Sequence, residues 1–125
     1  MDEYYKPDKI LENTDSVIFF ESSSTNDRKV HIGELWQFLA YLNKGIENKS
    51  NIYFVLFLCG TSKYPPKVDK EFKRLRYYYQ EYTIKESELK KLKGIYIMNQ
   101  NDVNIAELTI EKIKTFKRID EENTI

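Results

Sequence analysis

The sequence lacks several features that would assign it to a specialised class of protein. Its 125 residues include a single cysteine, Cys59, which excludes an intramolecular disulfide and a zinc site built from cysteines. Its longest apolar run, residues 52–59, is far shorter than the roughly 20 residues that a membrane-spanning helix needs. The first residues are acidic and polar, unlike a secretory signal. We therefore expect a cytoplasmic protein with no membrane partner.

The sequence also lacks net charge, because 20 basic and 20 acidic residues cancel. A neutral chain has no long-range attraction for nucleic acid or acidic lipid as a whole molecule. The charges are nevertheless separated along the chain. Residues 1–27 hold 2 basic and 7 acidic side chains, a net charge of −5, whereas residues 63–80 hold 6 basic and 2 acidic, a net charge of +4. An anionic partner would therefore be held by a local patch in the second segment.

The composition that remains is typical of one folded domain. Hydrophobic residues make up 41% and charged residues 32% of the chain, and its length suffices for one modest core. Continuous apolar runs at 16–21 and 52–58 predict strands that are buried on both faces. Between them, apolar residues spaced i, i+3, i+4, i+7 and i+8 from Ile32 predict an amphipathic helix over 29–44 that stops at Gly45. This strand–helix–strand order predicts a parallel pair joined by a right-handed crossover.

The second half of the chain is patterned less clearly. Pro65 and Pro66 predict a loop, and the apolar residues after them predict a helix with an inner face. That face consists of Val68, Phe72, Leu75, Tyr79 and Tyr82. We predict a short charged helix at 86–93, a third strand at 95–98, a short strand at 103–108, a last helix over 110–119 and a frayed tail at 120–125. The whole chain, 1–125, is then a single α/β domain with a central mixed sheet flanked by helices.

Two acidic residues bracket the first buried strand. Asp8 follows Pro7 ahead of the strand, and Glu21 ends it. Carboxylates at adjacent strand ends are suitable ligands for Mg²⁺ or Mn²⁺, which would neutralise a phosphodiester and acidify a water molecule. Gln37 and Tyr41 stand at i and i+4 on the following helix, beside its apolar stripe. The plain structural interpretation makes Asp8 a turn residue, Glu21 a solvated strand end and Tyr41 a packing residue.

The order of these residues over roughly 5–60 resembles the PD-(D/E)XK nuclease superfamily, which has the restriction-endonuclease-like fold. That pattern consists of Pro-Asp, a strand leading to Glu-x-Lys, and a helix that carries Gln-x-x-x-Tyr in the RecB-like branch. The resemblance implies a metal-dependent endonuclease acting on DNA, with Asp8 and Glu21 as ligands of Mg²⁺ or Mn²⁺. Gln37 and Tyr41 would help to position the substrate or the site.

The sequence departs from this pattern at two places. The family lysine would stand at position 23, where this chain has Ser23, and Lys29 or Arg28 is the nearest candidate to replace it. The family usually has a helix and a strand before the aspartate, whereas seven residues precede Asp8 here. A homodimer or a completing partner chain would supply what is missing, or activity has been lost. Glu34 is either a further metal ligand or, as we prefer, a residue that favours the helix N-terminus.

A second constellation lies on the predicted basic helix. Lys67, Lys70 and Arg74 recur at i, i+3 and i+7, Tyr77 extends the stripe, and Lys63 lies just upstream. Such a stripe would contact backbone phosphates without reading base sequence, with the tyrosine available for stacking. The plain interpretation is the solvated face of an amphipathic helix.

Three interpretations of function therefore remain open. The first is a Mg²⁺-dependent endonuclease with Lys29 in place of the displaced lysine. The second is a catalytically inactive module of the same fold that binds nucleic acid or a protein. The third assigns the 17 tyrosines and phenylalanines to a core plus an oligomer interface. A thiol nucleophile at Cys59 with His31 as its base is disfavoured, because no orienting third group is evident and a lone cysteine after an apolar run is more often a core residue.

Overall fold

The computed structural model describes residues 4–23, 28–59 and 67–121. In these ranges the strands are β1 (Lys9–Glu12), β2 (Ser16–Ser23), β3 (Asn51–Leu58), β4 (Leu92–Asn99) and β5 (Lys117–Arg118), and the α-helices are α1 (Arg28–Asn43), α2 (Val68–Gln80), α3 (Glu86–Leu89) and α4 (Ile110–Ile113). Two 3₁₀ turns, Gln100–Asp102 and Ile105–Glu107, lie between β4 and α4. No helix in the described ranges is both long enough and apolar enough to span a membrane.

The five strands form one mixed sheet in chain order, β1-β2-β3-β4-β5. The three central strands are parallel, and the two edge strands pair antiparallel to their neighbours. The helices α1 and α2 connect the parallel strands. The predicted α/β class, the three predicted buried strands and the parallel pairing of the first two are therefore confirmed.

The sheet has a separate core on each face. Alternate residues of β2 and β3, beginning with Val17 and Ile52, face α1 and α2. The residues between them, such as Ile18 and Tyr53, pack against Leu108, Ile113 and Phe116 of the C-terminal segment. The period of two in a strand divides one apolar run between two cores, which is why these runs are continuous.

Two covered faces also hide most of the aromatic residues. Six of the seven phenylalanines are buried, and the seventh, Phe72, packs against the helix-side core. Within the described ranges, the exposed aromatic residues are Tyr4, Trp36, Tyr77 and Tyr78. Because the sheet is covered on both sides, fewer aromatic residues are available for an oligomer interface than the composition indicates.

The helix α1 ends as the sequence predicts. Gly45 has φ +69°, the left-handed conformation that glycine adopts without steric cost, and its amide donates to the carbonyl of Leu42 at 3.1 Å. Side chains that face inward from α1 include Leu35, Phe38 and Leu39. The helix therefore packs on one face of the sheet. Because α1 follows β2 in the chain, its N-terminal turns lie near the carboxyl end of that strand.

Four predictions for the less clearly patterned segments were wrong. Residues 103–108 form a 3₁₀ turn and extended chain instead of a strand, and the last helix is limited to α4. The charged helix at 86–93 contracts to α3, because β4 already begins at Leu92. Asp120 is not part of a frayed tail, since its Oδ1 accepts hydrogen bonds from the Ile95 amide at 2.8 Å and from Arg118 at 2.9 Å. Residues 122–125 lie outside the described ranges.

Candidate active site

The β1–β2 hairpin brings Asp8 and Glu21 together. Its antiparallel register begins with Lys9 paired to Phe20, so Asp8 and Glu21 are the next residues of the two chain segments at this end of the hairpin. Glu21 follows Val17 and Phe19 at alternate positions of β2, which puts its side chain on the face that packs against α1. The Asp8 amide donates to the Phe20 carbonyl at 3.0 Å, and Asp8 Oδ2 accepts from the Ser22 amide at 2.8 Å. Backbone pairing therefore holds both carboxyl groups on the face that carries α1.

The two carboxyl groups interact directly. Burial, the negative charges of Asp8 and Glu34, and a side-chain hydrogen bond with Asp8 together raise the pKa of Glu21 from 4.5 to about 8. Its side chain is 8% exposed, so the ionised form is poorly solvated. At neutral pH Glu21 therefore holds a proton that it shares with the neighbouring Asp8 carboxylate.

Glu34 is the third carboxyl group of this cluster. Burial and the charge of Asp8 raise its pKa, while the charge of His31 lowers it, and burial is the largest of these effects. Its Oε2 is buried without a hydrogen-bond partner among the described residues. The first turn of α1 contains no acidic residue. Our preferred interpretation of Glu34, as a residue that favours the helix N-terminus, is therefore wrong.

Tyr5 adds a buried hydroxyl to the same cluster. Burial, followed by the charges of Glu21, Tyr41, Asp8 and Glu34, holds the pKa of its phenol well above the ordinary value. Its side chain is 2% exposed, and its hydroxyl has no hydrogen-bond partner within the ranges that the structure describes. Sequence reasoning overlooked this residue, because a tyrosine in a polar amino-terminal segment gives no periodic signal.

The helix residues predicted for the site occupy the side of α1 that faces the amino-terminal segment. Gln37 is exposed and lines a shallow groove with Tyr4, Tyr5 and Tyr41. The Tyr41 hydroxyl donates to Glu47 Oε2 at 3.1 Å, and its ring lies 5.1 Å from the Tyr5 ring. Tyr41 therefore contributes to the site by packing against Tyr5, and its hydroxyl is committed to Glu47.

Ser23, which occupies the position of the missing lysine, is the last residue of β2. Ser23 lies two residues beyond Glu21 on β2, is 3% exposed, and its carbonyl accepts from the Cys59 amide at 2.7 Å. Lys29, the predicted substitute, is exposed in the first turn of α1. Among the described residues, the charges that shift the pKa of Glu21 belong to Asp8 and Glu34, and both are acidic.

His31 and Cys59 do not form a nucleophile–base pair. The Cys59 thiol donates to Gln100 Oε1 at 2.6 Å, and burial followed by the charges of Asp8 and Glu34 raises its pKa, which keeps it in the unreactive thiol form. His31 is 1% exposed, and its Nδ1 lies 2.9 Å from Glu71 Oε2 on α2. Sequence reasoning missed this pair, since the two residues are forty positions apart.

Fewer side chains of the basic stripe are available to contact phosphates than the sequence implies. Lys67 and Lys70 are exposed, and Tyr77 is 57% exposed. Arg74 is half-buried, and its Nη1 donates to Glu71 Oε1 at 2.9 Å, so its charge is matched within the helix. Lys63 lies outside the described residues. The exposed lysines and Tyr77 thus remain a candidate phosphate-contacting surface, whereas Arg74 forms an ion pair with Glu71.

The carboxyl groups of Asp8 and Glu21 fit a hard divalent cation only if water completes its coordination. No group of three or more His, Cys, Asp and Glu side chains in the described part of the chain is arranged to hold a metal ion. Mg²⁺ is commonly bound by one or two carboxylates and keeps several water molecules. The donor set therefore suits Mg²⁺ or Mn²⁺ and not a metal that requires a closed protein cage.

Comparisons with models of protein families, with curated proteins and with solved structures find no match for this chain. Its function must be inferred from its own residues and their geometry.

Proposed function

We propose that this chain hydrolyses DNA phosphodiester bonds with the help of Mg²⁺ or Mn²⁺ held by Asp8 and Glu21. The observation that carries this proposal is the hydrogen-bonded pair of carboxyl groups at the end of the β1–β2 hairpin. Structural proteins seldom retain such a pair, because a buried carboxyl group beside a second one costs free energy when it ionises. A carboxyl group with a strongly raised pKa beside a charged partner is typical of a functional site.

The arrangement also has the order that the PD-(D/E)XK resemblance implies. Pro7-Asp8 enters the hairpin, Glu21 lies close to Asp8, and the next element is a helix that carries Gln37 and Tyr41. In this proposal the exposed amide of Gln37 contacts the substrate, and Tyr41 packs against the ring of Tyr5.

A bound cation would neutralise negative charge on the phosphate and lower the pKa of an attacking water molecule. The protein contributes the two carboxylates, of which Glu21 must lose its proton for the cation to bind. Lys29 at the start of α1 is the proposed substitute for the lysine that Ser23 replaces. A homodimer or a partner chain remains a prediction.

A plasmid-nicking assay tests this function. Wild-type protein should nick supercoiled DNA with Mg²⁺ or Mn²⁺, and EDTA, Asp8→Ala or Glu21→Ala should each stop the reaction. Glu12→Ala is a matched control, because Glu12 is an exposed carboxylate at the other end of the same hairpin. Full cutting by both site variants would contradict the assignment of the site.

The second candidate is a module of the same fold that binds DNA without cutting it. Its specific support is the buried Ser23 at the lysine position, together with the exposed lysines on α2. The double variant Lys67→Glu/Lys70→Glu should then weaken DNA binding and reduce its salt dependence by about one unit per lost phosphate contact. Fluorescence anisotropy at several salt concentrations measures both effects.

The controls for this binding test separate the two candidates. Lys112→Glu changes an exposed lysine on α4, on the opposite face of the sheet, and should leave DNA affinity unchanged. Asp8→Ala and Glu21→Ala should also retain affinity if the chain only binds. Salt-independent binding, or none, would count against both nucleic-acid functions.

A further inference from the structure

Buried polar groups are usually hydrogen-bonded, and the hydroxyl of Tyr5 is an exception. Its side chain is 2% exposed, yet its hydroxyl has no hydrogen-bond partner in the described residues. An unsatisfied buried hydroxyl destabilises the folded protein, whereas phenylalanine would fill the same space without that cost. A buried donor that is left without a partner requires an explanation, and a ligand of the site is one.

The ring of Tyr5 is held firmly by its neighbours. Its centroid lies 5.7 Å from that of Phe19, 6.3 Å from that of Phe38 and 5.1 Å from that of Tyr41. Interdigitated rings in a close-packed core leave the tyrosine few rotamers. The direction of its hydroxyl is therefore set before any ligand arrives, which is what positioning of a ligand requires.

The surroundings of the hydroxyl are rich in acceptors. Burial, followed by the charges of Glu21, Tyr41, Asp8 and Glu34, holds the pKa of the phenol above its ordinary value. A phenol carries its proton at neutral pH, so the Tyr5 hydroxyl can donate a hydrogen bond. A donor placed among three carboxyl groups complements a ligand that presents oxygen atoms.

A second unpartnered atom identifies the ligand more closely. Glu34 Oε2 is also buried and lacks a hydrogen-bond partner among the described residues. Tyr5 offers a proton and Glu34 Oε2 accepts one, and a water molecule is the smallest ligand able to bond to a donor and to an acceptor.

We propose that Tyr5 is a positioning residue of the carboxylate site, whose hydroxyl donates a hydrogen bond to the water molecule that attacks the phosphate. Glu34 accepts a hydrogen bond from the same water molecule. The inference rests on the proposed hydrolysis for its reaction, but it concerns a residue that the family resemblance does not assign.

The variant Tyr5→Phe tests the proposal, because it removes the hydroxyl and keeps the ring. Loss of one hydrogen bond to a polarised water should lower kcat about 10- to 100-fold while KM for DNA stays within about twofold. The affinity for Mn²⁺, titrated without DNA, should fall by up to about 10-fold. The Tm of the metal-free protein should stay the same or rise, since an unsatisfied hydroxyl has been removed.

The matched control is Tyr53→Phe. Tyr53 is 6% exposed but belongs to the core on the opposite face of the sheet, so its variant should change neither kcat nor Mn²⁺ affinity. A Tm for Tyr5→Phe well below that of wild type would show a structural role and overturn the proposal.

The readouts separate the failure of this inference from the failure of the proposed function. If wild-type protein cuts DNA and Tyr5→Phe matches it in kcat and Mn²⁺ affinity, the role of Tyr5 is wrong and the nuclease stands. If wild-type protein does not cut but Tyr5→Phe binds Mn²⁺ more weakly, the nuclease fails and the role of Tyr5 in the site is supported. A rise in KM alone would place the hydroxyl on a phosphate oxygen and overturn its assignment to water. Absence of Mn²⁺ binding by wild-type protein would overturn both.

Discussion

Asp8 and Glu21 lie side by side at the end of the β1–β2 hairpin, where Asp8 Oδ2 accepts from the Ser22 amide and the two carboxyl groups are close enough to share a hydrogen bond. Such a bond requires a proton, which two ionised carboxylates do not have. Because the pKa of Glu21 is raised to about 8, this carboxyl group still carries its proton at neutral pH and can donate the bond. The metal-free site is therefore a protonated pair, and both its stability and its affinity for cations should depend on pH.

The stability of the protein should fall as the pH rises through the range in which Glu21 titrates. Between its ordinary pKa of 4.5 and its folded value of about 8, the folded chain holds a proton that the unfolded chain releases, so the free energy of unfolding decreases with pH. Glu21→Gln should remove part of this decrease, on the order of 2–4 kcal/mol between pH 5 and pH 9. Urea denaturation of both proteins at several pH values measures the difference. A Glu12→Gln control should follow the wild-type curve, and a Glu21→Gln protein with the same slope as wild type would refute the shared proton.

A divalent cation should stabilise the protein more at pH 8.5 than at pH 6. Binding requires that the pair release its proton, and this release is easier at high pH. A cation at about 100 times its Kd adds roughly 2.7 kcal/mol to the free energy of unfolding. Thermal denaturation with and without Mg²⁺ should therefore show a larger increase in Tm at the higher pH, and Asp8→Asn should abolish it. Equal increases at both pH values would mean that the cation binds elsewhere.

The buried pair of His31 and Glu71 should connect α1 to α2. His31→Phe fills the same space but leaves Glu71 with Arg74 as its remaining described partner. We expect a loss of roughly 2–3 kcal/mol in the free energy of unfolding, because a buried carboxylate loses one of two partners. A double-mutant cycle with Glu71→Gln measures the coupling. Lys117→Ala breaks the exposed pair with Asp69 and should have little effect. Additivity of the two core variants would contradict a direct interaction.

Two glycines should respond to alanine in opposite ways. A Cβ at Gly94 would overlap the Tyr96 ring, which is buried and has little room to move, so Gly94→Ala should cost about 1–3 kcal/mol. A Cβ at Gly33, inside α1, meets no atom within 4 Å, and Gly33→Ala should stabilise the protein by roughly 0.5–1 kcal/mol. Chemical denaturation tests both changes. A stabilised Gly94→Ala protein would contradict the close approach of Tyr96.

The predictions from sequence were most accurate where one local pattern had one structural solution. The apolar runs at 16–21 and 52–58 are too short for buried helices and are bounded by polar residues, so they could only be strands. The strand β1 was missed because it has four residues, mostly exposed, at the edge of the sheet. A turn signal was present after it: Asn13 Oδ1 accepts from the amides of Asp15 and Ser16, as asparagine commonly does in turns.

The sequence by itself determined the α/β class, the parallel pairing of the first two buried strands and the candidate pair of Asp8 and Glu21. Each of these follows from patterns within a few residues, where the backbone periods of strand and helix act directly on the order of side chains. The tertiary structure decided that Asp8 lies beside Glu21, that Tyr5 and Glu34 join them, and that His31 binds Glu71 instead of assisting Cys59. Those relationships depend on pairing register and on contacts between residues as many as forty positions apart. Strand register and the packing of both helices on the sheet set such contacts, and no local periodicity encodes them.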